Sequence, residues 1–383
     1  MAEGSTAAPV RVLVAIDGLG RGGAERQARL LLARIPRDRV TARLACFGGD
    51  ADEIERVTAA GVAVDRLPHA PRRIWPIRVL GELRRIVRRE RIRIVQAFLP
   101  TFDILAPLLR VAAPELRVVT SRRNVVDQLP ASRLRWVRRS GRLACAVVAN
   151  SEAVAESVRR FEPESAEKVR VIPNGIELPD PVAPEERREA RARLNAGEET
   201  FLVGYLAHFR DGKGHERLPE LAARLVAALP ESRIVVAGDD RSNHTYRANA
   251  ARFREEVDRR GLASRVATLG PIPESRTLLA AADVSLNLSD LEGMSNALME
   301  SMALGIPVVA TDAGGARELI ASERDGAVVA RGDLDTALEA LLRLGRDPAL
   351  RRRFGAAARE RISRDFSADR MAAAYADLYQ ELA

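Results

Sequence analysis

The chain is 383 residues long, enough for two ordinary domains with sizeable cores. Its 46% hydrophobic and 30% charged residues are the balance of a soluble globular protein, and no apolar run comes near the ~20 residues that span a bilayer. The net charge is +8 and nearly every cation is arginine, Lys168 and Lys213 being the only lysines, so composition points to an anionic partner: phosphates, a membrane surface or nucleic acid.

Residues 1–9 are small and polar, without the basic and apolar regions of a secretion signal, and the expectation is a cytoplasmic protein. From residue 10 onward short apolar runs alternate with longer amphipathic stretches. Runs at 10–16, 40–47, 92–97, 117–121 and 144–149 are rich in Val and Ala and bounded by Gly, Pro or polar residues, as buried strands are. Between them, 24–34, 52–60 and 79–90 carry apolar residues at helical spacing. The alternation pauses after Ile172-Pro173-Asn174-Gly175-Ile176, where Pro179-Asp180-Pro181-Val182-Ala183-Pro184 has a linker composition. It restarts with strands predicted at 201–206, 233–237, 266–269, 284–288, 307–311 and 327–330, and closes on a helical stretch over 367–383. Such alternation with few hairpin signals predicts an α/β protein whose sheets are mainly parallel and covered on both faces. Two similar halves on one linker would leave a cleft, with ligands at the carboxyl ends of the strands. Cys46 and Cys145 lie in strand-like runs with no Cys-x-x-Cys pair, and His is scarce. Reduced core thiols are expected, and a metal site has little to be built from.

Three segments could carry chemistry. Gly18-Leu19-Gly20-Arg21-Gly22-Gly23-Ala24-Glu25-Arg26 follows the first strand, where glycines let a ligand approach the backbone and the next helix offers N–H groups to an anion. A nicotinamide dinucleotide would also need an acid at the end of the second strand, which instead runs Ala45-Cys46-Phe47-Gly48-Gly49 before Asp50; that reading is disfavoured. Gly204-Tyr205-Leu206-Ala207-His208-Phe209-Arg210-Asp211-Gly212-Lys213-Gly214-His215 opens the second half. Arg210 and Lys213 put two cations on one loop, able to stabilise the charge that develops on a departing diphosphate, although a solvated basic loop has the same composition.

The third segment runs from Ser289 to Pro307. A strand ends at Leu288, a polar turn with Gly293 follows, and a helix is predicted from about Asn296 to Leu304 with Ser295 as N-cap and Gly305 just past its end. The helix N-terminus suits an anion. Glu300 lies roughly 7–8 Å along it, about the reach from a diphosphate to its ribose, and its carboxylate can accept from both ribose hydroxyls. Glu292, in the loop, falls near a transferred sugar or its phosphate. Two glutamates at this spacing are common by themselves; their context is what distinguishes them.

The run Glu292 to Glu300, followed by Gly305-Ile306-Pro307-Val308-Val309-Ala310-Thr311-Asp312-Ala313-Gly314-Gly315 and Glu318, resembles the signature of glycosyltransferase family 4, retaining enzymes with the GT-B fold. The resemblance covers nearly the whole chain. Gly22-Gly23-Ala24-Glu25-Arg26, Val148-Ala149-Asn150-Ser151, Ile172-Pro173-Asn174-Gly175-Ile176-Glu177, Arg210 with Lys213-Gly214, Asp283 and Tyr375-Ala376-Asp377-Leu378-Tyr379 match it in order. It implies two Rossmann-like domains with parallel sheets facing across a cleft: an acceptor-binding domain over 1–178, a nucleotide-sugar-binding domain over 179–366, and a helix over 367–383 packing back on the first. It also implies transfer from a nucleotide-sugar donor to a glycan, glycolipid or lipid-diphosphate-linked acceptor in polysaccharide assembly, with no cofactor or metal.

By that resemblance Glu300 holds the donor ribose. Glu292 with the amides of Gly293, Met294 and Ser295 contacts sugar and diphosphate, Arg210 and Lys213 neutralise the diphosphate, and Gly22 and Gly23 face it. Many members place the loop arginine five residues before the lysine, where this chain has His208. Many also carry a histidine after the fourth strand, where this chain has Gln96-Ala97-Phe98-Leu99-Pro100. Arg122, Asn124, Asn174 and His208 are therefore the candidate acceptor or sugar contacts.

Two arginine-rich helices remain. Val79, Leu80, Leu83, Ile86 and Val87 share a face opposite Arg84, Arg85, Arg88, Arg89 and Arg91, and residues 132–142 add Arg133, Arg135, Arg138, Arg139, Arg142 and Trp136. Such a surface suits anionic lipid headgroups or a solvated helix face alike. A GT-B epimerase or nucleotide-sugar hydrolase is the alternative enzyme. Nucleic-acid binding is set aside, because aromatics are only 4% of residues and no stacking platform is recognised.

Overall fold

The structure is a computed structural model that describes residues 8–20, 22–68, 75–126 and 130–383; Arg21 of the glycine run lies outside them. The chain divides into two compact units. Unit 1 comprises Met1–Gly175 with Phe366–Ala383, and unit 2 comprises Ile176–Asp365.

Unit 1 holds β1 (Val10–Ile16), β2 (Val40–Cys46), β3 (Ala63–Arg66), β4 (Ile94–Ala97), β5 (Arg117–Arg122), β6 (Ala146–Ala149) and β7 (Val169–Val171), in the order β3-β2-β1-β4-β5-β6-β7. Unit 2 holds β8 (Phe201–Leu206), β9 (Ser232–Ala237), β10 (Val266–Gly270), β11 (Val284–Asn287), β12 (Val308–Thr311) and β13 (Gly326–Val329), in the order β10-β9-β8-β11-β12-β13. Every ladder is parallel. Both sheets thus wind outward from a central pair, β1/β4 and β8/β11, where the strand order reverses. In doubly wound folds ligands bind at the carboxyl edge of that reversal.

Parallel strands need helices on both faces, so their side chains are buried whichever way they point. In β1, Val12, Val14 and Ile16 join the core under helices Gly23–Arg34 and Ala368–Leu382, while Leu13 and Ala15 join the opposite core with Leu83, Ile86 and Phe102. Each fully buried side chain of this size is worth roughly 1.5–3 kcal/mol against exposure. Two strands escaped the sequence pattern. β3 is a half-exposed edge strand whose Asp65 is held by Arg43 at 2.9 Å, and β7 has only three residues. Neither offers an apolar run to read.

The proline segment after Gly175 is tied into unit 2. Arg276 donates to the carbonyl of Asp180 at 2.9 Å and Arg359 to that of Pro179 at 2.8 Å. The last helix returns to unit 1. Ser367 caps it, accepting the Arg370 amide, and Met371, Tyr375 and Tyr379 are buried in the unit 1 core. Gly175 closes this corner: a Cβ there would stand 2.8 Å from the Ala368 Cα. Its backbone exchanges two 2.9 Å hydrogen bonds with the Gln27 side chain. Cys46 is buried in β2 and Cys145 precedes β6; neither is in a disulfide. Among the described residues no helix is long and apolar enough to cross a membrane.

Candidate active site

Three loops converge at the carboxyl edge of β8, β11 and β12, and glycines bring them into contact. Gly212 and Gly214 both have φ +74°, the left-handed region glycine tolerates. A Cβ on Gly214 would lie 2.3 Å from the Leu288 carbonyl, and one on Gly212 would lie 2.7 Å from Leu291. The loop after β8 therefore lies directly on the loop after β11. The Asp290 amide donates to Gly212 at 2.9 Å, and Arg217 ties both sides through the Leu288 carbonyl (2.7 Å) and Asp290 (2.8 Å). From the other side Gly314, at φ +55°, leaves no room for a Cβ against the Glu292 and Gly293 carbonyls, and the Gly315 amide donates to Gly293 at 2.6 Å.

Lys213 and Glu292 meet in this frame. The ammonium Nζ lies 2.5 Å from Glu292 Oε1, with side chains only 13% and 11% exposed. Burial is the larger influence and pulls Lys213 below its ordinary pKa; Glu292 opposes it and the neighbouring Arg210 adds to it. The Tyr205 hydroxyl, buried under the loop, donates to the Lys213 carbonyl. Arg210 is half-buried, and among the described residues its guanidinium has no ion-pair or hydrogen-bond partner. Helix Asn296–Ala303 begins beside them, with Ser295 Oγ accepting the Leu298 amide as N-cap and Gly305 at φ +74° just beyond its end. Gly293, Met294 and Ser295 are buried in the turn before it, and Glu300 is half-buried on its second turn.

Thus Arg210, Lys213, Glu292, Gly293, Met294, Ser295 and Glu300 share one edge of unit 2. His208 is at the same edge but differently engaged. Its Nδ1 accepts the Asp239 amide at 2.9 Å and its ring stacks on Tyr246; desolvation of the ring lowers its pKa, and Asp239 opposes this. Sequence reasoning gave no separate role to Tyr205, Arg217 and Gly314, which hold the loops together. The Gly-Gly pair following Thr311-Asp312 was the available signal for the last of these.

The unit 1 candidates lie at the carboxyl edge of the other sheet. Gly22 is the N-cap residue of helix Gly23–Arg34, and the Glu25 carboxylate fills the space above it, 2.0 Å from where a Cβ would be. Part of the glycine run serves packing between the β1 and β2 loops: the Leu19 amide donates to Gly48 at 3.1 Å, and Asp50 donates back to Leu19 at 2.8 Å. Asn124 is exposed, and Asn174 is buried and accepts from Arg123 at 2.5 Å. Arg122 corrects the expectation of an acceptor contact. It is 4% exposed and its guanidinium is spent on a bidentate pair with Glu162, both bonds 2.8 Å, with Asp103 at 3.5 Å. It is part of the core.

Two doubly wound units, with a cationic loop and a helix N-terminus at the reversal point of the second, define the GT-B class of glycosyltransferase fold. Residues 21–179 match the family described as Glycosyltransferase Family 4 and residues 186–361 that described as Glycosyl transferases group 1, and the chain belongs to this family. It is 30% identical over 217 residues to the lipopolysaccharide core biosynthesis mannosyltransferase LpsB of Rhizobium meliloti, covering 55% of this chain and 60% of that protein. It is 26% identical over 198 residues to a GDP-mannose-dependent monoacylated alpha-(1-6)-phosphatidylinositol monomannoside mannosyltransferase of Corynebacterium glutamicum, covering 51% and 52%. The chain spans only 52% to 60% of the length of these curated relatives. Anabaena HepE, solved in complex with UDP-glucose, has the same fold at TM-score 0.85 and 20% identity, over 97% of this chain and 99% of that one.

Proposed function

We propose that the protein transfers a sugar from a nucleotide-sugar donor to a glycan, glycolipid or lipid-linked acceptor, with retention of anomeric configuration and without a metal. The observation that carries this reading is the buried Lys213–Glu292 pair spanning the β8 and β11 loops, beside Arg210 and the N-terminus of helix Asn296–Ala303. A diphosphate at this edge meets two cations and a helix dipole, which stabilise the charge that grows as the sugar–phosphate bond breaks. Glu292 holds Lys213 in place before the diphosphate arrives and then faces the sugar. Glu300, further along the helix, accepts hydrogen bonds from the ribose hydroxyls. The departing phosphate oxygen takes the acceptor's proton on the face it leaves, so no covalent enzyme nucleophile is required. A UDP-glucose complex of the same fold and mannosyltransferase relatives support a nucleotide-sugar donor.

The test is a melting-temperature screen against UDP-, GDP- and ADP-sugars, since a ligand that binds the native state raises its apparent stability. One donor should raise the Tm of the wild-type chain. Glu300→Gln should weaken that donor about tenfold or more, because a hydrogen bond to a charged group is lost. Folded protein that responds to no nucleotide sugar would refute the donor site.

Peripheral attachment to an anionic membrane fits the unit 1 surface. Arg78, Arg84, Arg88, Arg135 and Arg139 are exposed and form no ion pair among the described residues, and Arg133 is exposed with its charge felt by Asp17. Arg139 covers the ring of Trp136, which is 56% exposed, and Ile77 is 73% exposed. Cations around exposed apolar side chains suit the headgroup boundary. Co-sedimentation with phosphatidylserine vesicles at low salt should occur and should weaken in Trp136→Ser. No pelleting at low salt would exclude this attachment.

A further inference from the structure

His208 is an exposed loop residue whose ring is nevertheless clamped. It stands two residues past the end of β8, and the loop after β9 closes on it. The Phe209 amide donates to the Asp239 carbonyl at 2.9 Å, and the Asp239 amide donates back to His208 Nδ1 at 2.9 Å. That amide is itself fixed, because Asp239 Oδ1 accepts from the Arg241 and Ser242 amides at 3.0 and 3.1 Å and sets the turn. Only glycine fits before it: a Cβ on Gly238 would stand 1.9 Å from the Ala207 carbonyl oxygen. The ring face is held as well. Tyr246 stacks on it at 6.3 Å between centres and 14° between planes, and the Tyr246 amide donates to Asn243 at the start of helix His244–Arg259.

The clamp decides which ring nitrogen carries the proton. An amide N–H donates only to a lone pair, so Nδ1 is unprotonated and the proton of the ring sits on Nε2. A second proton would set an N–H against the Asp239 amide. Desolvation of the ring works in the same direction by lowering its pKa; Asp239 opposes this, and Lys213 and Arg210 add to it. Nε2–H is therefore a donor whose position is fixed. Among the described residues it has no hydrogen-bond partner. A donor held in place and open to solvent is preorganised for a ligand, since the cost of ordering it is already met. The charges on its own loop indicate the ligand's kind. Arg210 follows it by two residues, its amide donating to the His208 carbonyl at 2.7 Å, and Lys213 stands on the same loop. A neutral N–H beside two cations suits an oxyanion.

We propose that His208 binds a diphosphate oxygen through Nε2–H, as a neutral third donor beside Arg210 and Lys213, with Asp239 and Tyr246 as the residues that position it. The proposal rests on the transferase reading of the same edge and changes the part expected of His208. It serves the phosphates of the donor rather than the acceptor. Being neutral, it adds direction to the site without adding charge.

The test uses the full chain labelled with nitrogen-15 at its four histidines, inorganic pyrophosphate as the probe, and His208→Asn to assign the His208 signals. At about pH 7 the spectrum should show Nδ1 without a proton and Nε2 with one, and pyrophosphate should shift the Nε2 signal. The opposite tautomer, a ring protonated on both nitrogens, or a wild type that ignores pyrophosphate would overturn the proposal. Pyrophosphate affinity is then read from Tm at constant ionic strength. His208→Asn, whose shorter amide does not reach the place of Nε2, should weaken it about tenfold, as loss of a hydrogen bond to a charged group does. His208→Gln can put an N–H there and should stay within about threefold of wild type. Equal losses in the two variants would make the histidine a structural part of the loop only. Wild-type affinity in both, with Arg210→Gln weakened, would take it out of the anion site. Pyrophosphate carries neither sugar nor base, so these outcomes stand apart from the transferase reading, which falls if no nucleotide sugar raises the Tm of the wild-type chain.

Discussion

At the reversal point of the unit 2 sheet stand two cations, Arg210 and Lys213; at the same point of the unit 1 sheet stand two carboxylates, Asp17 and Glu25. Thr101 donates to Asp17 at 2.9 Å, and burial pushes both carboxyls above their ordinary range. The strand orders are the same, with one further strand in unit 1, and so are the glycine-rich loops. The charge on the first-strand loops has the opposite sign, with Arg133 partly offsetting Asp17. Topology supplies a place for a ligand, and the side chains on the loops choose which ligand comes. Glycines after a first strand are therefore weak evidence of phosphate binding. In unit 1 they let two loops pack and make room for Glu25, whereas in unit 2 they bring a lysine onto a glutamate.

The contrast can be broken most strongly at Lys213. Lys213→Ala removes the buried cation from the edge where we propose the diphosphate binds, and should lower kcat by about 10²–10³, the usual loss for one preorganised charge-stabilising donor. Initial rates at saturating donor measure it, and a loss under threefold would return the loop to a structural role.

A smaller test sharpens the comparison through pH. In unit 2, His215 is 5% exposed and stacks on Phe209 at 4.1 Å between ring centres. Burial depresses its pKa from 6.5 to about 4, against the hydrogen bond at Ala207. A depressed histidine stays neutral in the fold but binds a proton when unfolded. Stability from this group is present above about pH 6.5 and lost as pH falls toward about 4, a change of about 3 kcal/mol at most. In unit 1 the sign reverses. One guanidinium, Arg122, faces two buried carboxylates, and Glu162 takes it in the bidentate pair. Burial pushes Asp103 up to about 7, with Arg122 and the Ser121 amide pulling the other way. Stability from Asp103 is full at low pH and lost as pH rises through about 7.

A two-domain chain need not melt in one step, so backbone hydrogen exchange should read each sheet separately. Between pH 4.5 and 6.5, corrected protection of β8 and β9 amides should rise in the wild type and rise less in His215→Phe. Parallel curves for the two proteins would count against the histidine. The smallest effect belongs to Asp103→Asn, which imitates the protonated acid. It should cost no more than about 1 kcal/mol and flatten the decline in β5 protection between about pH 4 and 7. A loss several times larger would mean that Asp103 is ionised in the fold.

These differences bear on what could be read before the fold was known. β8, and β1 from Val12 onward, are legible because a strand buried on both faces is an apolar run closed by polar residues. The edge strands β3 and β7 are too short or too exposed to leave that mark. In the site, Ser295 and Gly305 could be placed because capping is local. The Lys213–Glu292 bond joins residues 79 positions apart, and nothing local announces it. Arg122 and Arg123 are the sharpest case. They are the same residue type side by side, and only Glu162, 40 positions on from Arg122, and Asn174, 51 positions on from Arg123, tell an ion-paired arginine from one bonded to a side-chain amide.

The path of the chain through unit 1 has a consequence for synthesis. The ribosome makes β1 to β7 first, then all of Ile176–Asp365, and only afterwards the helix whose Tyr375 and Tyr379 fill the first core. Until that helix emerges, Val12, Val14, Ile16, Leu30 and Leu31 lack part of their cover. Unit 2 can complete its core on the nascent chain, while the earlier-made unit stays open and is finished last. The order of folding then runs against the order of translation. A stop codon just before residue 366 would strike the half of the protein made first.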